Sequence, residues 1–218
     1  MSGTESRDEY LEAVFKLASS EEGATVTRIA RELGVRPASA SQMIGRLEEA
    51  GAVVRETPGR ARVTLTESGR REAIALVRRH RLSERFLTDY LDLPWDEVHD
   101  EACKLEHVLS EAVEASLATR LGRPLTCPHG RVIPYDEGAT LGEGTRALAD
   151  CRSGEVCTVS HVADETPEFL RYVAALGLFP EAAIQIRGVE PFDGPLTVEI
   201  CGVRRPVGRE VARKVFVR

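Results

Sequence analysis

The segment HDEACKLEH, residues 99 to 107, gathers side chains that bind transition metals. Cys103, Glu106 and His107 have the spacing i, i+3 and i+4, which places them on one face of a predicted helix, and His99 lies one turn earlier on that face. A thiolate, a carboxylate and an imidazole together form a donor set that suits a divalent transition metal. Ordinary polar packing beside a helical core is the alternative, and the three donor types favour the metal site.

His80 and Glu84 form another donor pair with i, i+4 spacing. The apolar positions predict two long helices, over residues 67 to 91 and 95 to 120, and Leu93-Pro94 separates them because proline ends a helix. Antiparallel packing of these helices would bring the two donor sets close together.

The N-terminal third has the pattern of a winged helix-turn-helix. Apolar spacing and cap residues predict helices over residues 6 to 19, 25 to 34 and 37 to 51. The following stretch, residues 52 to 66, predicts a two-stranded hairpin around Pro58-Gly59. In such a motif the second helix of the helix-turn-helix enters the major groove of DNA.

Charge is distributed unevenly along the chain. The net charge is -6, yet residues 25 to 71 hold nine arginines and only five glutamates. A local basic excess indicates a surface that meets phosphate. The predicted DNA contacts are polar or basic residues of this region: Arg28, Arg36, Ser39, Ser41, Gln42, Arg46, Arg60 and Arg62. A winged helix used for protein contacts is the alternative interpretation.

The C-terminal part changes character after Gly122. A Pro- and Gly-rich stretch, RPLTCPHGRVIPYDEGATLGEG, predicts a linker. From about residue 145, short β-like runs surround one helical segment, PEFLRYVAALG, and predict a small β-barrel with an inserted helix.

The composition excludes several classes of protein. No run of 18 apolar residues and no signal peptide occur, so we expect a cytoplasmic protein without membrane partners. Five scattered cysteines indicate thiols or metal ligands in preference to disulfides. Among them, Cys151, Cys157 and Cys201 are interpreted as packing residues.

Several motifs together resemble the diphtheria toxin repressor family of iron- and manganese-dependent regulators. The resemblance rests on DEYLEAVFKL, RRHRLSERFLTDYL, VHDEACKLEHVLSEAVE, CPHGRVIP and a C-terminal part similar to the FeoA domain. It implies a mainly α-helical N-terminal region, followed by a small SH3-like, FeoA-like β-barrel. The implied domains are a winged helix (1–71), a helical metal-binding and dimerisation domain with linker (72–140) and the barrel (141–218). It further implies a homodimer that represses metal-uptake genes by binding a palindromic operator in double-stranded DNA when metal is bound.

The resemblance also implies two metal sites per subunit, for Mn(II) or Fe(II). The primary, activating site falls on Glu9, Cys103, Glu106 and His107. The ancillary site of iron-type members falls on His80, Glu84, His99, Glu165 and Glu168. Manganese-type members instead point to Cys127, His129 and Asp164 with Glu84, and to Glu12 as a further ligand.

The primary set mixes features of both branches. Iron-type members carry methionine at the position of Glu9, and manganese-type members carry glutamate at the position of Cys103. The carboxylate suits Mn(II) and the thiolate suits Fe(II). Two other functions remain open: a metal-independent winged-helix regulator, and an enzyme that uses Cys103 with His107 as base.

Overall fold

The computed structural model describes residues 3–18, 22–56, 62–136 and 144–218, with side chains from Arg7 onward. The chain divides into two compact units. The first runs from the N-terminus to His80 and adds Glu106–Val108 and residues 134–139. The second contains Arg81–Leu105, Leu109–Ile133 and residues 140–218.

The first unit contains the winged helix that the sequence predicts. Its elements are α1 (Gly3–Ala18), α2 (Val26–Glu32), α3 (Pro37–Glu49), β1 (Val53–Arg55), β2 (Val63–Leu65) and the start of α4 (Glu67–Leu91). Helix α2 begins after Thr25, whose hydroxyl accepts a hydrogen bond from the Arg28 backbone N–H at 3.3 Å. Pro37 opens α3 because a first-turn proline gives up no helical hydrogen bond.

Buried aliphatic side chains hold this unit together. Leu11 of α1, Ile29 of α2 and Ile44 of α3 are each fully buried, and full burial of one such side chain contributes roughly 1.5 to 3 kcal/mol. Strands β1 and β2 pair antiparallel, with Val53 opposite Leu65. The predicted hairpin is therefore confirmed in its strands, while its tip at Pro58-Gly59 lies outside the described residues.

The helices of the second unit depart from the sequence prediction at one point. Helix α4 extends to Leu91 as predicted, but the single helix predicted over residues 95 to 120 is wrong: α5 (Val98–Leu105) and α6 (Glu111–Arg120) are separate. Ser110 starts α6, since its side-chain oxygen accepts a hydrogen bond from the Val113 N–H at 3.4 Å. As a result, Glu106 and His107 lie in the turn beyond α5, so the single helical face predicted for them with Cys103 does not form.

The C-terminal part is a six-stranded antiparallel sheet. Its strands are β3 (Arg146–Ala147), β4 (Val156–Val162), β5 (Ala183–Val189), β6 (Leu196–Ile200), β7 (Val203–Val207) and β8 (Val215–Val217), in the order β3-β8-β4-β5-β6-β7. Helix α7 (Pro167–Leu176) is the predicted inserted helix, and α8 (Arg209–Ala212) precedes β8. Strands β3 and β7 are the two ends of this order, so the predicted barrel is an open sheet in the described residues.

The packing prediction for cysteines holds for two of three positions. Cys151 and Cys157 are buried in the core of the sheet domain, and burial raises the pKa of Cys157 to about 12. For Cys201 the prediction is wrong, because this residue is exposed and has φ +50° in the turn between β6 and β7. A two-residue hairpin turn of the favoured type requires positive φ at this position.

The predicted linker contains a tight turn. The Cys127 N–H donates to the Arg131 carbonyl at 2.9 Å, and the Gly130 N–H donates to the Cys127 carbonyl at 2.9 Å. Gly130 has φ +85°, and a Cβ added there would lie 2.0 Å from the Ser160 carbonyl oxygen of β4. Only glycine fits this position.

Among the described residues, no helix has both the length and the apolar content needed to span a bilayer.

Candidate metal centres and DNA-binding surface

In the first unit, helix α1 meets the turn beyond α5. The His107 Nδ1 atom lies 3.3 Å from Oδ2 of Asp8, although 99 residues separate the two in sequence. Both side chains are about 15% exposed, so the contact is largely shielded from solvent.

Glu106 lies between two histidines. Its Oε2 atom is 2.6 Å from His80 Nδ1, and its Oε1 atom is 3.5 Å from His107 Nε2. His80 and Glu106 are both buried. The contacts therefore link Asp8, His107, Glu106 and His80 in series, and we name these four residues the first donor cluster.

The first donor cluster overlaps only in part with the predicted primary site. Glu106 and His107 belong to both, and Glu9 is half-buried on α1 beside Asp8. Cys103 belongs to the second unit, where its Sγ atom lies 3.8 Å from His99 Nε2. Its assignment to the primary site stays a prediction.

Two residues of the first donor cluster were not expected there from the sequence. The sequence motifs predict His80 for the ancillary site, and they do not indicate Asp8 as a ligand. Asp8 and Glu12 share i, i+4 spacing on α1, the same signal that identified His80 and Glu84. Glu12 forms an ion pair with Lys16 at 3.1 Å.

The second unit contains a buried donor group. One ligand atom each of Glu84, Cys127 and His129 lies within 4.8 Å of the others, and all three residues are buried. Helix α4 supplies the carboxylate, and the linker turn supplies the thiol and the imidazole. Burial raises the pKa of the Cys127 thiol, and the Glu84 carboxylate adds to this effect.

His129 is oriented as a metal-binding histidine would be. Its Nε2 atom lies 2.7 Å from the Trp95 carbonyl oxygen, to which it donates, and its Nδ1 atom lies 3.1 Å from Glu84 Oε1. Burial opposes a charge on His129, but hydrogen bonds with Cys127 and Glu84 outweigh burial and raise its pKa to about 11. The proton on Nδ1 thus occupies the position where an ion could bind, while the carbonyl fixes the ring.

His99 and Glu165 lie beside this group. His99 Nδ1 is 3.5 Å from Glu84 Oε1 and 3.3 Å from Glu165 Oε2. The two alternative ligand sets of the sequence analysis therefore meet at Glu84. We name these five residues the second donor cluster: Glu84, His99, Cys127, His129 and Glu165. They fit a divalent transition metal because they offer carboxylate, imidazole and thiol donors in a buried setting.

Two predicted ligands have other surroundings. Glu168 is exposed on the first turn of α7. Asp164 accepts hydrogen bonds from Thr166 Oγ1 at 2.7 Å and from Lys214 Nζ at 2.8 Å. The hydrogen bond from Lys214 contributes to lowering the pKa of Asp164, against the opposing effect of burial.

The side of α3 that is predicted to contact DNA, here called the reading face, is open to solvent. Arg36, Ser39, Gln42 and Arg46 are exposed and Ser41 is half-buried, whereas Ala40, Ile44 and Leu47 are buried against the unit. Hydrophobic packing on one side thus leaves the polar side of α3 open for a DNA groove.

Several arginines of the winged helix make contacts within the chain. Arg28 Nη1 donates to the Gly23 carbonyl at 2.6 Å, and Arg62 lies near Gly23. Arg60 lies outside the described residues. Arg55, which sequence reasoning passed over, donates from Nη2 to the Ser41 carbonyl at 2.8 Å and ties β1 to α3.

Three protein-family models cover most of the chain. The iron dependent repressor N-terminal DNA binding domain matches residues 3–59. The iron dependent repressor metal binding and dimerisation domain matches residues 66–135, and the FeoA domain matches residues 146–218.

Similar proteins include two curated repressors. The iron-dependent repressor IdeR of Mycobacterium tuberculosis is 45% identical over 127 residues, which are 57% of this chain and 54% of IdeR. The diphtheria toxin repressor of Corynebacterium diphtheriae is 36% identical over 151 residues, covering 68% of this chain and 65% of that protein. The matched segment thus spans between half and two thirds of these relatives.

Solved structures match over nearly the full chain. A manganese-dependent transcriptional repressor in complex with manganese is 36% identical, has a TM-score of 0.89, and the match covers 97% of this chain and 98% of that one. IdeR of T. acidophilum is 28% identical with a TM-score of 0.78, at 96% of each chain.

A winged helix joined to helices with buried metal donors and to a small sheet domain defines a class of regulators that combine DNA binding with metal binding. Within that class, the chain belongs to the iron-dependent repressor family, which includes the diphtheria toxin repressor. The resemblance drawn from the sequence motifs is confirmed, as is the predicted fold class apart from barrel closure.

Proposed function

We propose that this protein is a metal-dependent DNA-binding transcriptional repressor of metal homeostasis, activated by Mn(II) or Fe(II). The observation that carries the proposal is the contact between Asp8 and His107. In this contact, a carboxylate from α1 in the winged helix lies against an imidazole from the turn beyond α5. Metal binding and DNA binding therefore share one compact unit.

The first donor cluster is the proposed activating site. A bound divalent ion would supply positive charge and a cross-link between side chains. Asp8 contributes a carboxylate from α1, and Glu106 and His107 contribute from the turn. Helix α1 packs through Leu11 and Val14 into the core that carries α3, so fixing α1 also fixes the reading helix.

The second donor cluster is the proposed second site in each subunit. Glu84, Cys127 and His129 would be its ligands. The carboxylates of both clusters suit Mn(II), whereas the thiol of Cys127 suits softer ions such as Fe(II). We favour Mn(II), since the first donor cluster offers three carboxylate oxygens, two from Glu106 and one from Asp8, which contact its histidines.

Exposed apolar side chains support a homodimer. Val113 on α6 is 45% exposed, and Glu114 is the only residue of α6 that is buried in the single chain. A second copy that covered α6 would remove this apolar surface from water. A two-fold dimer would present two α3 helices to a palindromic DNA site.

The test uses DNA selected by the protein itself. Random duplexes are enriched on the full-length protein with Mn(II) under anaerobic conditions, and retardation is then measured with Mn(II), Fe(II) or chelator. We expect retardation with either metal and its loss with chelator. Binding unchanged by chelator would establish the metal-independent regulator, and metal-dependent hydrolytic turnover without DNA binding would favour the enzyme.

A further inference from the structure

The carboxylate of Glu165 is shared between a histidine and an arginine in the second unit. Its Oε2 atom lies 3.3 Å from His99 Nδ1, and its Oε1 atom lies 3.0 Å from Arg131 Nε. The Glu165 side chain is 10% exposed and the Arg131 side chain 20%, so water screens this ion pair only weakly.

Arg131 is held in this position from two sides. Its Nη2 atom donates to the Ala163 carbonyl at 2.8 Å, and its own carbonyl closes the turn that carries Cys127 and His129. The backbone of Arg131 is therefore part of the turn that carries two proposed metal ligands, and the Ala163 carbonyl holds its guanidinium beside Glu165.

Two positive charges already lie beside the carboxylates of the second donor cluster before any ion is added. Glu84 and Glu165 are two buried or nearly buried carboxylates, and Arg81 and Arg131 are two guanidiniums beside them. Arg81 is buried and donates to the Val132 carbonyl. A divalent ion entering this set meets positive charge that is already in place, and a guanidinium does not lose its proton to make room.

We propose that Arg131 is a built-in competitor for the second metal site: by neutralising Glu165 it sets the metal concentration at which the site fills. This inference rests on the second metal site proposed above. Its consequence is a site that stays empty until the metal concentration is high enough to overcome the resident cation.

The test measures binding to the second site alone. Full-length protein carrying Cys103→Ala is titrated with Co(II), and the thiolate-to-cobalt charge-transfer band then reports binding at Cys127. We expect Arg131→Gln to reach half saturation at about tenfold lower free Co(II) than the parent, because one repelling charge at short range is removed. Arg131→Met provides a second neutral variant, and circular dichroism checks that both fold.

Two control variants separate charge at the site from other effects. Arg131→Lys keeps the positive charge and should bind Co(II) as the parent does. Arg204→Gln removes the same charge from the Glu199 ion pair on the sheet surface and should leave binding unchanged. Equal half saturation for Arg131→Gln, Arg131→Met and the parent would overturn the role of Arg131 and leave the second site standing.

Absence of the cobalt band in the parent would overturn the second site and this inference together. It would not touch the main function, because metal-dependent DNA retardation tests the first donor cluster separately.

Discussion

His80 Nδ1 lies 2.6 Å from Glu106 Oε2, and both side chains are buried. Helix α4 and the turn beyond α5 are therefore joined in the first unit by a polar pair with little access to water. A buried carboxylate is stable only when it is neutralised or hydrogen-bonded. The pair thus has a structural role in addition to its place in the first donor cluster.

Removing the histidine should destabilise the metal-free protein. In His80→Ala the Glu106 carboxylate loses a buried partner, so we expect the free energy of unfolding to fall by about 1 to 3 kcal/mol. Urea unfolding in chelator measures the change. His99→Ala serves as the comparison, since that ring is 24% exposed and should cost less. An unchanged midpoint for His80→Ala would contradict the structural role.

Asp8 should matter for metal response more than for folding. We expect Asp8→Asn to raise the Mn(II) concentration for half-maximal DNA retardation at least about tenfold. The reason is that a neutral amide attracts a divalent ion less strongly than a carboxylate does. Glu67→Gln is the matched control: it removes one negative charge at an exposed position on α4, paired with Arg71. Equal behaviour of both variants would exclude Asp8 from the activating site.

Substitutions on the reading face of α3 should distinguish contacts with DNA bases from contacts with the DNA backbone. Gln42→Ala should reduce discrimination between the selected DNA and random DNA by about 1 to 3 kcal/mol if its amide pairs with a base edge. Arg46→Ala should weaken binding to selected and to random DNA equally, and it should make binding less dependent on salt concentration. Retardation at several salt concentrations distinguishes them. An equal loss of affinity for selected and random DNA in Gln42→Ala would indicate that Gln42 contacts the DNA backbone instead.

Gly130 should be irreplaceable because of space and not only because of its backbone conformation. A Cβ there would lie 2.0 Å from the Ser160 carbonyl, whereas at Gly154, with a similar φ of +92°, an added Cβ meets nothing within 4 Å. Gly130→Ala should therefore lower the thermal midpoint clearly more than Gly154→Ala, which carries only the backbone strain of about 1 to 2 kcal/mol. Equal shifts would show that the linker turn does not press against β4.

The sequence by itself determined the family, the winged helix and the donor types. Local signals were sufficient for these, because the Thr25 cap, Pro37 and the apolar spacing act within one or two turns of helix. The motif around Cys103 predicts metal chemistry for the same reason: the identity of donor atoms can be read directly from residue types.

The tertiary structure decided which donors meet. Asp8 and His107 are 99 residues apart, and His80 contacts Glu106 although its sequence spacing pairs it with Glu84. The break at Ser110, which removed Glu106 and His107 from a continuous helix, also depends on competition between helix extension and capping. Such outcomes follow from packing between distant segments, because the position of a side chain in space depends on every element that its own element contacts.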